Sequence, residues 1–190
     1  MLEEFGDKRE NYDVAFFYYA GHGVQIDGQN YLLPTKVKFD NQNHVTLKAL
    51  PVQEIMNYLI GKTDKVNIFI LDACRDNPFE QNWNNTRSLK GGGLAKILPP
   101  TGSLIAFSTD AGNTAADGAG KNSVYCESLA KNMLKENINI VQVFQKTRFD
   151  VLNANIGQSP VEESKLISDF YLKKKVISKK DITQKIELIS

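Results

Sequence analysis

The stretch VNIFILDACRD, Val66–Asp76, changes character at its midpoint. Five of its first six residues are apolar, and Asp72, Ala73, Cys74, Arg75 and Asp76 follow at once. A continuous apolar run of this length is the pattern of a strand buried on both faces. Two more such runs occur: DVAFFYYA, Asp13–Ala20, ended by Gly21-His22-Gly23, and GSLIAFS, Gly102–Ser108, followed by a loop rich in Gly, Ala and Asp. Each run delivers polar residues at its carboxyl end, where parallel α/β sheets place their ligands.

Working outward, PVQEIMNYLI, Pro51–Ile60, has apolar residues at 52, 55, 56, 59 and 60, which is helical spacing, with Gly61 as a helix end. Residues 124–137 and 140–153 show the same periodicity. QIDGQNYLLP, Gln25–Pro34, reads as a hairpin with its turn in DGQN and its return strand at Tyr31-Leu32-Leu33. Residues 36–48 and 77–93 read as loops, and Lys165–Leu172 as a last short strand. This order predicts an α/β fold: a three-layer α/β/α sandwich with a mostly parallel sheet. One domain is expected over residues 1–172, followed by a charged tail, 173–190, with six lysines against Asp181 and Glu187.

Composition narrows the function. The chain has 190 residues, enough to bury a real core, and its net charge of +1 gives no general attraction for nucleic acid or an anionic membrane. No apolar stretch approaches the roughly 18 residues of a transmembrane helix. The first residues, MLEEFGDKRENYD, are acidic and polar, unlike a signal peptide. The two cysteines, Cys74 and Cys126, are no disulfide framework, so a reducing compartment, the cytoplasm, is expected.

Side chains alternate faces along a strand, so Asp72 and Cys74 share a face, as do Ala20 and His22. A Cys and a His at the ends of neighbouring parallel strands can form a nucleophile–base pair: the thiolate attacks a carbonyl, and the imidazole takes and returns a proton. The backbone N–H groups of Gly23 and Cys74 are the candidate oxyanion donors. Taken singly, a Cys at a strand end is ordinarily a small core residue, and a His between glycines a loop residue. One Cys and one His, with His44 in a distant polar loop, do not make a zinc tetrahedron. No acidic cluster has the ligand spacing of a calcium site, so neither metal nor cofactor is expected.

YYAGHG followed by ILDACRD resembles the core of the caspase-like peptidases: caspases, metacaspases, paracaspases and their bacterial relatives. Caspases carry the His roughly 50 residues before the Cys, and here the separation is 74 − 22 = 52. Asp72 in place of Gln is the metacaspase and paracaspase form. DGQNYLLP, RSLKGGGLAK, IAFSTDAGNTAADG and GQSPVEES also match bacterial caspase-like domains, so the resemblance covers about residues 11–172. It implies a cysteine-type endopeptidase with Cys74 as nucleophile and His22 as general base.

Asp72 would line the primary specificity pocket, and an acid there favours a substrate with Arg or Lys before the cut bond. Asp110 and Asp117, on the loop after the third apolar run, are candidates for a second pocket acid, and Ala115-Ala116-Asp117 resembles the SAD sequence of metacaspases; as single residues both acids read equally well as solvated or turn-forming. The family's usual Ser two residues before the His is Ala20 here. Cys126, in SVYCESLA, and the aromatic residues Phe16–Tyr19 read as core packing. Arg87 and Lys90 offer sites for self-cleavage in a loop that otherwise reads as plain surface.

The resemblance also implies a strand, a helix and a second strand before the His-bearing strand. This chain starts late by that measure, and Asp13–Ala20 would then be an apolar sheet edge that a second copy or a partner chain covers. Two functions follow: a protease acting on proteins with basic cleavage sites, or a catalytically incompetent module that binds a partner to complete its sheet.

Overall fold

A computed structural model describes residues 2–60, 65–74, 94–110 and 122–175, with Cys74 described by its backbone alone. Asp117, the loop with Arg87 and Lys90, and the tail from residue 176 lie outside the described residues.

The elements run α1 (Leu2–Arg9), β1 (Val14–Ile26), β2 (Gln29–Leu32), α2 (Gln42–Lys48), β3 (Leu50–Pro51), α3 (Val52–Leu59), β4 (Val66–Cys74), β5 (Ser103–Phe107), α4 (Val124–Met133), α5 (Ile140–Asn153) and β6 (Val161–Ser164). The strands form one sheet in the order β3-β2-β1-β4-β5-β6. The central strands β1, β4 and β5 are parallel. The outer pairings, β1–β2, β2–β3 and β5–β6, are antiparallel, so the sheet is mixed around a parallel core.

Alternation along the central strands sends successive side chains to opposite layers. Phe17, Phe69, Leu71, Ile105 and Phe107 pack under α3, joined by Leu2 of α1. Phe16, Ile68, Ile70, Leu104 and Ala106 pack against Tyr125 and Leu129 of α4 and Val143 and Phe144 of α5. A smaller cluster of Val24, Ile26, Tyr31, Leu33 and Val45 lies under the hairpin. The result is the expected three-layer sandwich.

Several elements depart from the expectation. β1 does not stop at Gly21-His22-Gly23; it runs through them to Ile26. A parallel partner on one side up to His22 and a hairpin partner from Gly23 keep the backbone extended. The hairpin turn is Asp27-Gly28, both at positive φ (49° and 81°), the geometry of a two-residue primed turn. Part of the expected loop 36–48 is α2, capped by Asn41, whose side chain accepts from the His44 N–H. The last strand is Val161–Ser164 rather than Lys165–Leu172. Its sequence, VEES, lacks an apolar run because it pairs with β5 on one side as an edge strand.

The first residues of the expected tail are tied down. Lys173 accepts from the Asn137 N–H through its carbonyl and pairs with Glu136 at 2.9 Å. On the side of β1 away from β4, Val14–Gly21 has no strand partner among the described residues.

Candidate active site

The parallel register of β1 and β4 pairs Tyr18 with Ile70, Ala20 with Asp72 and His22 with Cys74. Paired positions on neighbouring strands lie roughly 5 Å apart. The two residues 52 apart in sequence (74 − 22) are thus brought to adjacent positions at the carboxyl end of the central seam. His22 itself is exposed.

The segment around His22 is held by its neighbours. Its carbonyl accepts from the Leu33 N–H at 2.9 Å and from the Tyr19 hydroxyl at 2.9 Å. Tyr19 also reaches the Leu33 carbonyl at 2.8 Å, so one phenol ties β1 to the chain leaving β2. The flanking glycines serve packing more than open space. A Cβ on Gly21 would meet the Tyr19 hydroxyl at 2.7 Å, and one on Gly23 would meet Leu94 Cδ2 at 2.8 Å. Leu94 is held there by Asn30, whose side chain donates to the Ala95 carbonyl (2.8 Å) and accepts from the Ala95 N–H (2.6 Å).

Backbone phase orients the two amides named as oxyanion donors. The Leu33 N–H to His22 bond makes Gly23 and Leu32 a non-hydrogen-bonded pair, which turns the Gly23 amide away from β2 and toward β4. On β4 the Val66 N–H donates to the Asp13 carbonyl at 3.0 Å. Amides alternate sides along a strand, so the Cys74 amide, in phase with that of Val66, faces β1. Both amides lie in the seam, where the His22–Cys74 register makes them ladder donors, Cys74 N–H to the Gly21 carbonyl and Gly23 N–H to the Cys74 carbonyl, so neither is open to an oxyanion in this arrangement.

Asp72 is 7% exposed. Its Oδ2 accepts from the Tyr18 hydroxyl at 3.0 Å and the Ser123 hydroxyl at 2.6 Å. Ser123 is also the N-cap of α4, accepting from the Cys126 N–H. Burial, the contact with Cys126 and the Asp72 carboxylate together push the Tyr18 hydroxyl well above a tyrosine's usual range.

Tyr18 and Ser123 were missed as site residues by sequence reasoning. Tyr18 shares its strand face with Ala20 and His22, a signal that was present; Ser123 offers only a cap signature. Cys126, expected in the core, is a free thiol of intermediate burial. Asp110 is half-buried just past β5, at the same sheet edge, after the fully buried Ser108 and Thr109.

On the β2 side of β1 a cavity of about 820 Å³ opens, lined by Tyr19–His22 and residues 33–40. Among the described residues no group of His, Cys, Asp and Glu could hold a metal ion, and no helix is long and apolar enough to cross a membrane.

Fold and site edge define an α/β sandwich whose parallel core gathers its polar residues at one end. The chain belongs to the Caspase domain family, peptidase family C14, which matches residues 1–171. It is thereby a member of a family of cysteine peptidases, hydrolases that act on protein substrates. The crystal structure of caspase-1 from Spodoptera frugiperda superposes with a TM-score of 0.62 at 16% identity, over 92% of this chain and 70% of that one. At that identity the likeness is one of fold. No curated protein matches the chain.

Proposed function

We propose that the chain is a cysteine endopeptidase that cuts after Arg or Lys, with Cys74 as nucleophile and His22 as general base and acid. The observation that carries this reading is the register that pairs His22 with Cys74 in a caspase-domain chain. In the proposed reaction the Cys74 thiolate attacks the scissile carbonyl, and the amides of Gly23 and Cys74 stabilise the oxyanion once the last ladder bonds between β1 and β4 give way to it. His22 protonates the leaving amine, and the acyl group stays on sulfur as a thioester. Water, deprotonated by His22, then releases the acid product and restores the thiol.

The preference for a basic residue is supported by Asp72. A carboxylate at 7% exposure, with two neutral donors on one oxygen and none on Oδ1 among the described residues, gains strongly from a guanidinium or ammonium group. Asp110 and Asp117 are proposed as secondary contacts to the same basic side chain. The metacaspase branch of the family is the one this acid fits.

Fluorogenic peptides ending in Arg, Lys or Asp, assayed beside Cys74→Ala, test the reading. Cys74-dependent release after Arg and Lys is expected. Release after Asp alone would refute the role of Asp72, and no Cys74-dependent release would refute the peptidase.

A second reading, a binding module that needs a partner to complete its sheet, has one observation in its favour. Val14–Gly21 is paired on one side only among the described residues. Turnover by the chain alone decides against it.

A further inference from the structure

The cavity beside His22 is separate from the Asp72 pocket. Asp72 lies on β4 and is reached from α4 by Ser123, whereas the cavity lies across β1, between His22 and the segment after β2. These two sides of His22 have different chemistry. The Asp72 side is acidic. The cavity has an apolar wall of Leu33, Val37 and Phe39, and two lysines, Lys36 and Lys38, on its rim. Neither lysine has an ion pair among the described residues. The one acid in the lining, Asp40, lies 3.2 Å from His44 Nδ1.

General acid catalysis assigns a direction across this site. The group that protonates the leaving amine must lie within hydrogen-bond reach of that nitrogen. The acyl side of a substrate, whose basic residue seeks Asp72, lies over β4. The leaving side departs past His22, away from β4, and this is the side on which the cavity opens. We infer that the cavity is the subsite for the leaving side of the substrate and selects acidic residues just after the cut bond. The inference rests on the proposed peptidase reading. It adds a second charge requirement: basic before the bond, acidic after it. Substrate segments of the type Arg-X-Glu then match the two halves of the site in order. Lys36, at φ 66°, sits at a left-handed turn between β2 and α2, so both lysines belong to one loop.

The test uses internally quenched peptides with Arg before the bond and Glu, Ala or Lys at the two positions after it. At low salt, kcat/KM should fall from Glu to Ala to Lys by about 2–5-fold per step, the scale of partly screened surface charge pairs. Lys36→Glu/Lys38→Glu should invert the order. Lys36→Asn/Lys38→Gln, which keeps a residue suited to the left-handed turn, should flatten it. A readout independent of turnover is anisotropy of labelled leaving-side peptides, with free N-termini, on the Cys74→Ala protein. The same order of affinities is expected.

Ordered binding without hydrolysis by the parent chain would leave this subsite standing and sink the peptidase reading. Hydrolysis with no order among the three peptides, or an order unmoved by charge reversal, would overturn the subsite. So would concentration-dependent self-association, seen by sedimentation and abolished by Lys36→Glu/Lys38→Glu, since a second copy would then occupy the cavity.

Discussion

At its amino-terminal end the β1–β4 seam is closed by Arg9; at its carboxyl end it stops beside His22, Cys74 and Asp72. Both ends bury a charged side chain, and they treat it differently. Arg9 is 3% exposed and meets acceptors on every side. Its Nε and Nη2 donate to Asn67 Oδ1 at 3.1 and 2.9 Å, and further bonds reach the carbonyls of Leu59, Val66 and Tyr12. One guanidinium thereby joins α1, α3 and the start of β4. Asp72 is nearly as buried, yet its two donors converge on one oxygen. A buried charge whose bonds are complete locks a structure, while one with acceptor capacity to spare suits recognition of a ligand.

Substitutions at the two ends should separate these roles. The largest effect belongs to Cys74→Ala, which should lower kcat/KM by at least about a thousandfold with the melting temperature little changed. Unchanged turnover would move the nucleophile elsewhere. Next, Arg9→Met should destabilise the fold by about 3–5 kcal/mol in urea titration, because four acceptors lose their donor at once. The activity of the fraction that remains folded should hold. If turnover per folded molecule fell with it, the two ends would be coupled rather than distinct.

Asp72→Asn should cost about 2–4 kcal/mol of transition-state binding for Arg peptides, read from kcat/KM, and far less for neutral ones. Ser123→Ala removes both the α4 cap and one bond to Asp72, so a stability loss of about 1–2 kcal/mol should come with a smaller loss on Arg peptides. The smallest effect is on pH dependence. The folded protein holds the Tyr18 proton to a higher pH than the unfolded chain does. Its contribution to stability is therefore full below about pH 10 and is lost as pH rises above that value. Tyr18→Phe should flatten this alkaline decline in a series of melts from pH 9 to 11.

Much of this was legible along the chain. The three apolar runs lie in β1, β4 and β5, the α3 and α5 segments were bounded within a residue or two, and His22 and Cys74 stood out by type and spacing. What failed was instructive. VEES does not look like a strand because an edge strand needs no apolar run. Gly-His-Gly looks like a stop signal, and pairing on successive sides overrode it. Tyr18 and Tyr19 looked alike, yet alternation sends one to Asp72 and the other to the His22 carbonyl. Arg9, in a polar helix, carried no mark of its burial.

By itself the sequence determined which segments become buried strands and helices, and which residue types arrive at the strand ends, because periodicity and apolar content act locally along the chain. Only the tertiary structure decided that His22 sits in register with Cys74, that Asp72 keeps one oxygen without a donor among the described residues, and that Arg9 closes the opposite end. Those outcomes depend on which strands lie side by side and in what phase, and burial of the whole sheet settles that.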